Sequence, residues 1–265
     1  MEHENHTAPP TFTTSTPQRV GLVVPSSNTT METEIPALLR DLDRPPTFHS
    51  SRARLHTVDA ESLAAMVADS DRCAAELADA HVDVLAYACL VAVMASGPGA
   101  HERIEERLSA VVRDNNSDAP VVSSAGALVR TLQELDLPRV AIVAPYMPPL
   151  TRTVISYLGG YGIEVVDWVT LCVSDNLDVG RLDPESLLGH SGRLDLSGVD
   201  GIVLSACVQM PSLAAVDRVQ ELTGKPVVTA ATATTREILR ALDVPSPAVA
   251  GGAALGAGAP AQVRR

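Results

Sequence analysis

One part of this chain is written twice. Arg19-Val-Gly-Leu-Val-Val-Pro25 returns some 120 residues later as Arg139-Val-Ala-Ile-Val-Ala-Pro145. Asp83-Val-Leu-Ala-Tyr-Ala-Cys89 returns as Asp200-Gly-Ile-Val-Leu-Ser-Ala-Cys207, and Ala119-Pro-Val-Val-Ser123 as Lys225-Pro-Val-Val-Thr229. A period this long is not a solenoid unit. Short apolar runs alternating with helically spaced segments mark βαβ units. The repeat therefore predicts an α/β fold of two pseudo-twofold-related lobes, each a mostly parallel sheet flanked by helices.

The first copy reads as strand 19–24, helix 30–39, strand 49–55, helix 59–80, strand 82–87, helix 102–112, strand 120–123 and helix 125–135. Asp59 is placed to cap its helix. The expected units are a first lobe over 19–124, completed by 229–244, and a second lobe over 125–228. Residues 1–18 lack the basic start and apolar centre of a signal peptide and read as a mobile tail. The Ala/Gly-rich stretch 245–265 reads as disordered.

Open α/β sheets bind ligands beyond the carboxyl ends of their strands. The chain marks those ends with Pro25 to Asn28, Cys89, Pro145-Tyr146 and Cys207, so the site is expected in the cleft between lobes. Cysteine is usually a small buried hydrophobe, and Cys73 and Cys172 are read that way. Cys89 and Cys207 occupy matching strand-to-helix turns, where amides and a helix dipole can stabilise a thiolate. They are read as a functional pair. Asn28 can cap the following helix, Asn176 can be a turn residue and Tyr146 a rim aromatic; each could equally face a ligand. Pro25 and Pro145 read as strand stops.

Composition narrows the partners. A formal net charge of −12 and 3% aromatics disfavour nucleic acid and anionic membranes. The longest apolar stretch, 84–95, is too short to span a bilayer. The histidines share no ligand spacing with the cysteines, so no metal is expected. No glycine-rich phosphate loop follows the first strand, so no nucleotide cofactor is expected. Four cysteines without a secretory signal suggest thiols in the cytoplasm.

Three segments resemble the signatures of maleate cis-trans isomerases of the aspartate/glutamate racemase superfamily. They are Arg19-Val-Gly-Leu-Val-Val-Pro-Ser-Ser-Asn-Thr-Thr-Met-Glu-Thr-Glu-Ile-Pro36, Ala88-Cys-Leu-Val-Ala-Val-Met94 and Ser205-Ala-Cys-Val-Gln-Met-Pro-Ser-Leu213. The resemblance spans about 19–243. It implies Cys89 as nucleophile, Cys207 as acid/base, and Asn28, Tyr146 and Asn176 as holders of the substrate carboxylates. Main-chain amides at Leu90, Val91 and Val208 would assist. It further implies a homo-oligomer, no cofactor, and a place in the breakdown of nicotinate-type aromatics through maleate.

Rotation about a double bond requires that it first become single, and a thiolate adduct achieves this. Neutral donors suit the developing charge better than a lysine clamp that would bind ground state and transition state alike. The segment 91–99 is read as a closing loop that excludes water. Three rivals share the fold or the ligand. A two-thiol amino-acid racemase would carry polar residues beside its cysteines, whereas here Leu90-Val91 and Val208-Gln209 form a more apolar lining. An arylmalonate-type decarboxylase would lack the first thiol. A non-catalytic diacid-binding protein would not need the pair.

Overall fold

The computed structural model describes residues 16–55, 57–247 and 251–256. Two four-stranded sheets, all parallel, form its frame. The first comprises β1 (Arg19–Pro25), β2 (Thr47–Ala53), β3 (Val84–Tyr87) and β4 (Val121–Ser123), in the order β2-β1-β3-β4. The second comprises β5 (Arg139–Ala144), β6 (Glu164–Thr170), β7 (Gly201–Ser205) and β8 (Val227–Thr229), in the same order: β6-β5-β7-β8.

The central strands are uninterrupted apolar runs because helices cover both faces of a parallel sheet. β3 and β7 are buried throughout, and β1 and β5 at every position but the first. The edge strands β2 and β6 are half exposed and more polar. The duplication extends to hydrogen bonds. The Asp83 carboxylate, just before β3, accepts from the Arg19 amide that opens β1. Asp200, just before β7, accepts from the Arg139 amide that opens β5. Ser123 and Thr229 each end a short strand and cap the next helix through their side chains.

The helices are α1 (Met31–Leu39), α2 (Ala60–Asp79), α3 (Leu90–Ala95), α4 (Ala100–Asp114), α5 (Ser124–Glu134), α6 (Pro148–Gly159), α7 (Asn176–Val179), α8 (Ser186–Ser191), α9 (Leu213–Thr223) and α10 (Ala230–Ala241). Asp59 caps α2, accepting from the Ser62 amide at 2.8 Å. α10 follows β8 of the second sheet yet packs on α5, β3 and β4 of the first.

Three expectations need correction. Much of the segment 91–99 is helix α3, whose residues through Met94 are buried. An unbroken apolar run so short carries no periodicity by which to tell helix from loop. Cys172 is exposed, in a left-handed conformation at φ 55°, because it sits where the half-exposed edge strand β6 runs out. Residues 251–256, expected to be disordered, form a buried 3₁₀ turn over Gly252–Leu255. Its smallness is what lets it pack: a Cβ on Gly252 would lie 2.6 Å from the Val227 carbonyl oxygen. Gly251, Gly252 and Gly256 all have positive φ, which glycine adopts without steric cost. The rest of the expected tails, 1–15, 248–250 and 257–265, lies outside the described residues.

Candidate active site

The strand ends converge on one small cavity. It is lined by Pro25, Asn28, Leu55, Val58, Cys89, Leu90, Val91, Tyr146, Asn176, Cys207, Val208 and Gln209. Every residue singled out from the sequence as a site candidate is in that set. β1 and β2 deliver the Pro25, Asn28 and Leu55 side, and β3 delivers Cys89 through Ala88. β5 runs into Tyr146 and β7 into Cys207, so each sheet contributes one thiol.

The cavity volume is about 20 Å³, room for about one water. Cys89 is 3% exposed and Cys207 5%. An antiparallel bridge between Thr57 and Asp175 ties the loop after β2 to the loop before α7. Leu55 and Val58 flank that bridge in sequence and form part of the cavity wall. The site is therefore closed.

Closure decides the electrostatics. Burial pushes the Cys89 thiol up to about 12, with the Ala92 amide pulling the other way and the nearby Cys207 adding to the rise. Burial raises Cys207 too, opposed by the Tyr146 hydroxyl and the amides of Gln209 and Met210. The Gln209 amide lies 3.4 Å from Cys207 Sγ. The sequence predicted thiolate stabilisation at both turns. Amides do reach both sulfurs, but desolvation outweighs them, since among the described residues no Lys or Arg lines the cavity.

The polar lining is neutral and already partly engaged. Asn28 Oδ1 accepts from the Thr30 and Met31 amides at 3.0 and 3.1 Å, and its Nδ2 donates to the Val208 carbonyl at 3.3 Å. Asn28 thus closes the turn that leads into α1, whose N-cap is Thr30 rather than Asn28, while facing the cavity. Asn176 Nδ2 donates to Ser27 Oγ at 2.7 Å, and the Tyr146 hydroxyl to the Ala206 carbonyl at 3.0 Å. Burial, and then the neighbouring Cys207, raises Tyr146 well above the usual phenol range, so it is a donor rather than a phenolate.

Sequence reasoning missed Leu55 and Val58, named Gln209 only as lining without a role, and read Pro25 as a strand stop. Gln209 was legible as a buried-strand follower but was read as part of an apolar lining. Among the described residues no cluster of His, Cys, Asp or Glu could hold a metal ion, and no helix is long and apolar enough to cross a membrane.

Comparison with known proteins places this geometry. A family model described as arylmalonate decarboxylase matches residues 20–255. A maleate isomerase of Pseudomonas putida is 58% identical over 245 residues, covering 91% of this chain and 98% of the relative. The chain belongs to the maleate isomerase family. Two solved maleate isomerases share its fold. One is a cysteine-to-alanine variant of the Iso protein of Pseudomonas putida, with maleate: 52% identity, TM-score 0.88, coverage 91% of this chain and 98% of that one. The other, from Nocardia farcinica, is a cysteine-to-serine variant with a covalently bound succinylcysteine intermediate: 49% identity, TM-score 0.86, coverage 90% and 98%.

Proposed function

We propose that this protein isomerises maleate to fumarate without a cofactor, through a succinyl adduct on Cys89 with Cys207 as acid/base. The observation that carries the reading is a cavity into which each sheet sends one thiol and around which, among the described residues, the hydrogen-bonding side chains are neutral. As the cavity opens to water the desolvation penalty on Cys89 falls and its thiol ionises, giving its proton to that water. The thiolate attacks one olefinic carbon, forming the carbon–sulfur bond. The π pair moves to the neighbouring carbon, which takes the Cys207 proton. Rotation about the resulting single bond follows. The Cys207 thiolate then removes that proton, the double bond re-forms in trans geometry, and the carbon–sulfur bond returns its electron pair to Cys89.

Charge pushed onto a carboxylate during attack meets donors from Asn28, Asn176 and Tyr146 and the amides at Leu90, Val91 and Val208. Such donors are worth most where charge develops and water is excluded. The apolar wall of Leu55, Val58, Leu90, Val91 and Val208 suits an alkene better than an ammonium group. This favours the isomerase over the racemase. Cys89 itself argues against the decarboxylase.

The same reading makes the lobes, 19–124 with 229–244 and 125–228, the units that each carry one thiol. It takes the enzyme to be a cytoplasmic homo-oligomer acting in the breakdown of nicotinate-type aromatics. Free thiols fit a reducing compartment; the pathway and assembly rest on the resemblance.

A proton NMR time course in D2O separates the readings. Maleate converts to fumarate, while aspartate keeps its α-proton and a phenylmalonate stays unchanged. Cys89→Ala lowers turnover by orders of magnitude with an unchanged circular dichroism spectrum, and Cys207→Ala incubated with maleate gains the adduct mass on Cys89. Near-native isomerisation by Cys89→Ala overturns the assignment of the nucleophile.

A further inference from the structure

We infer that Gln209 is a positioning residue, which sets the spacing of the two asparagine loops at the cavity, and that Gly180 exists to leave it room. The inference rests on the reading of this cavity as a diacid site. Gln209 lines the cavity beside Cys207, yet its side chain has no capacity left for a ligand. Its Nε2 donates to the Ser27 carbonyl at 3.1 Å and to the Asn176 carbonyl at 3.0 Å. Its Oε1 accepts from the Thr29 amide at 3.0 Å and the Thr30 amide at 3.4 Å. A primary amide has two N–H donors and one oxygen with two lone pairs, and all are used. The partners also fix its orientation: carbonyls at the nitrogen end, amides at the oxygen end.

Those four partners flank the two asparagines. Ser27, Thr29 and Thr30 bracket Asn28, and the Asn176 carbonyl belongs to the other asparagine itself. The Gln209 main chain adds to the tie, its carbonyl accepting from Thr30 Oγ1 at 2.7 Å and its amide facing Cys207 Sγ. One buried residue, 2% exposed, therefore joins the loop after β1, the start of α7 and the Cys207 turn.

Gly180 gives an independent observation. It has an ordinary right-handed conformation, φ −69°, so its backbone does not require glycine. A Cβ there would lie 2.5 Å from Gln209 Nε2 and 3.1 Å from its Cδ. The missing side chain is occupied by the Gln209 amide. A methyl group would displace that amide, and Gly180 itself is not part of the cavity wall.

The test is a double-mutant cycle read by maleate kinetics, joined to nitrogen-15 spectra of the Asn28 and Asn176 side-chain amides in asparagine-labelled protein. Misplacement by about 1 Å can cost about a hundredfold. Gln209→Ala should therefore lower kcat/KM by about tenfold to a hundredfold, with kcat falling as well as KM rising, at temperatures far below its unfolding midpoint. Gln209→Glu, which turns acceptors toward two carbonyls, should lose more. Gly180→Ala should cost nearly as much alone, but less than about twofold in the Gln209→Ala background, since coupled sites are not additive. Both asparagine amide signals should shift in Gln209→Ala.

Independent, multiplying effects of Gly180→Ala and Gln209→Ala overturn the inference, as do unmoved asparagine signals. So does Gln209→Ala with kcat/KM within about twofold of the parent, since the expected loss is far larger. A parent protein that leaves maleate unchanged overturns the isomerase reading alone, and the spectra still decide the role of Gln209.

Discussion

Cys89 shows how strongly one residue's surroundings can reverse a local expectation. The turn that presents it offers amides, and sequence alone suggests an acidified thiol; burial instead carries it to about 12. The folded state thus holds this proton more tightly than the unfolded chain, where a thiol titrates near its ordinary 9.0. The stabilisation is complete below about pH 9 and is lost as pH rises through the folded value, at about 1.4 kcal/mol per pH unit within that window. Cys89→Ala should flatten the fall in unfolding free energy between about pH 9 and 11, measured by urea titration. Slopes that match the parent's would refute this placement of the thiol. Other groups raised by burial, Cys207, Tyr146, Cys73 and Tyr87 among them, supply the slope that survives.

Most of the site was legible at this scale because its residues sit at strand ends in a repeated frame, and repetition turns a lone cysteine into a pair. The role of Gln209 was not legible. Its significance lies in four partners far away in sequence, and no spacing rule encodes them.

At the scale of elements, a helix end as well as apolar contact ties the two halves together. Glu34 of α1 lies buried against the start of α9. Its Oε1 accepts from the Ser212 and Leu213 amides at 2.6 and 2.7 Å, and Oε2 from the Ser212 hydroxyl at 3.3 Å. Burial raises this carboxyl and the bonds from Ser212 and Leu213 pull it back. A helix start needs partners for its first amides, and here the other half of the molecule provides them. Glu34→Ala should cost about 1–3 kcal/mol, the price of orphaning buried donors, seen as a lower denaturant midpoint at unchanged slope. A midpoint equal to the parent's would show that water replaces the carboxylate freely.

A second tie crosses α4, α5 and α10. Arg130 bridges Glu105 and Glu237, and Glu105 also accepts from the Ser123 amide and hydroxyl. The buried central strands were plain in the sequence because both faces must be apolar. Edge strand β6 and the short helix α3 were not, since neither has a period that favours one state.

For the molecule as a whole, duplication dictated the architecture and the strand order of both sheets. What it could not reveal was how the chain shares elements between them. α10 leaves the second sheet to cover the first, and the small-residue turn at 251–256 packs beneath it, with Arg236 of α10 donating to the Ala254 carbonyl at 2.9 Å. Composition rules treat such Gly/Ala sequence as unable to pack, whereas here small size is the condition for contact.

The closed cavity has a kinetic consequence. A space of about 20 Å³ cannot admit a diacid, so the wall must move in each turnover, and the segment of Leu55 and Val58, tied to the loop before α7 by the Thr57–Asp175 bridge, is where the motion is expected. Such motions commonly pace well-tuned enzymes. Solvent friction should therefore appear in the rate: kcat should decline in step with relative viscosity as sucrose is added, and a flat response would mean that bond chemistry sets the clock. A catalyst of this kind behaves less like a mould awaiting its casting than like a valve, and its tempo belongs to the liquid around it as much as to its sulfurs.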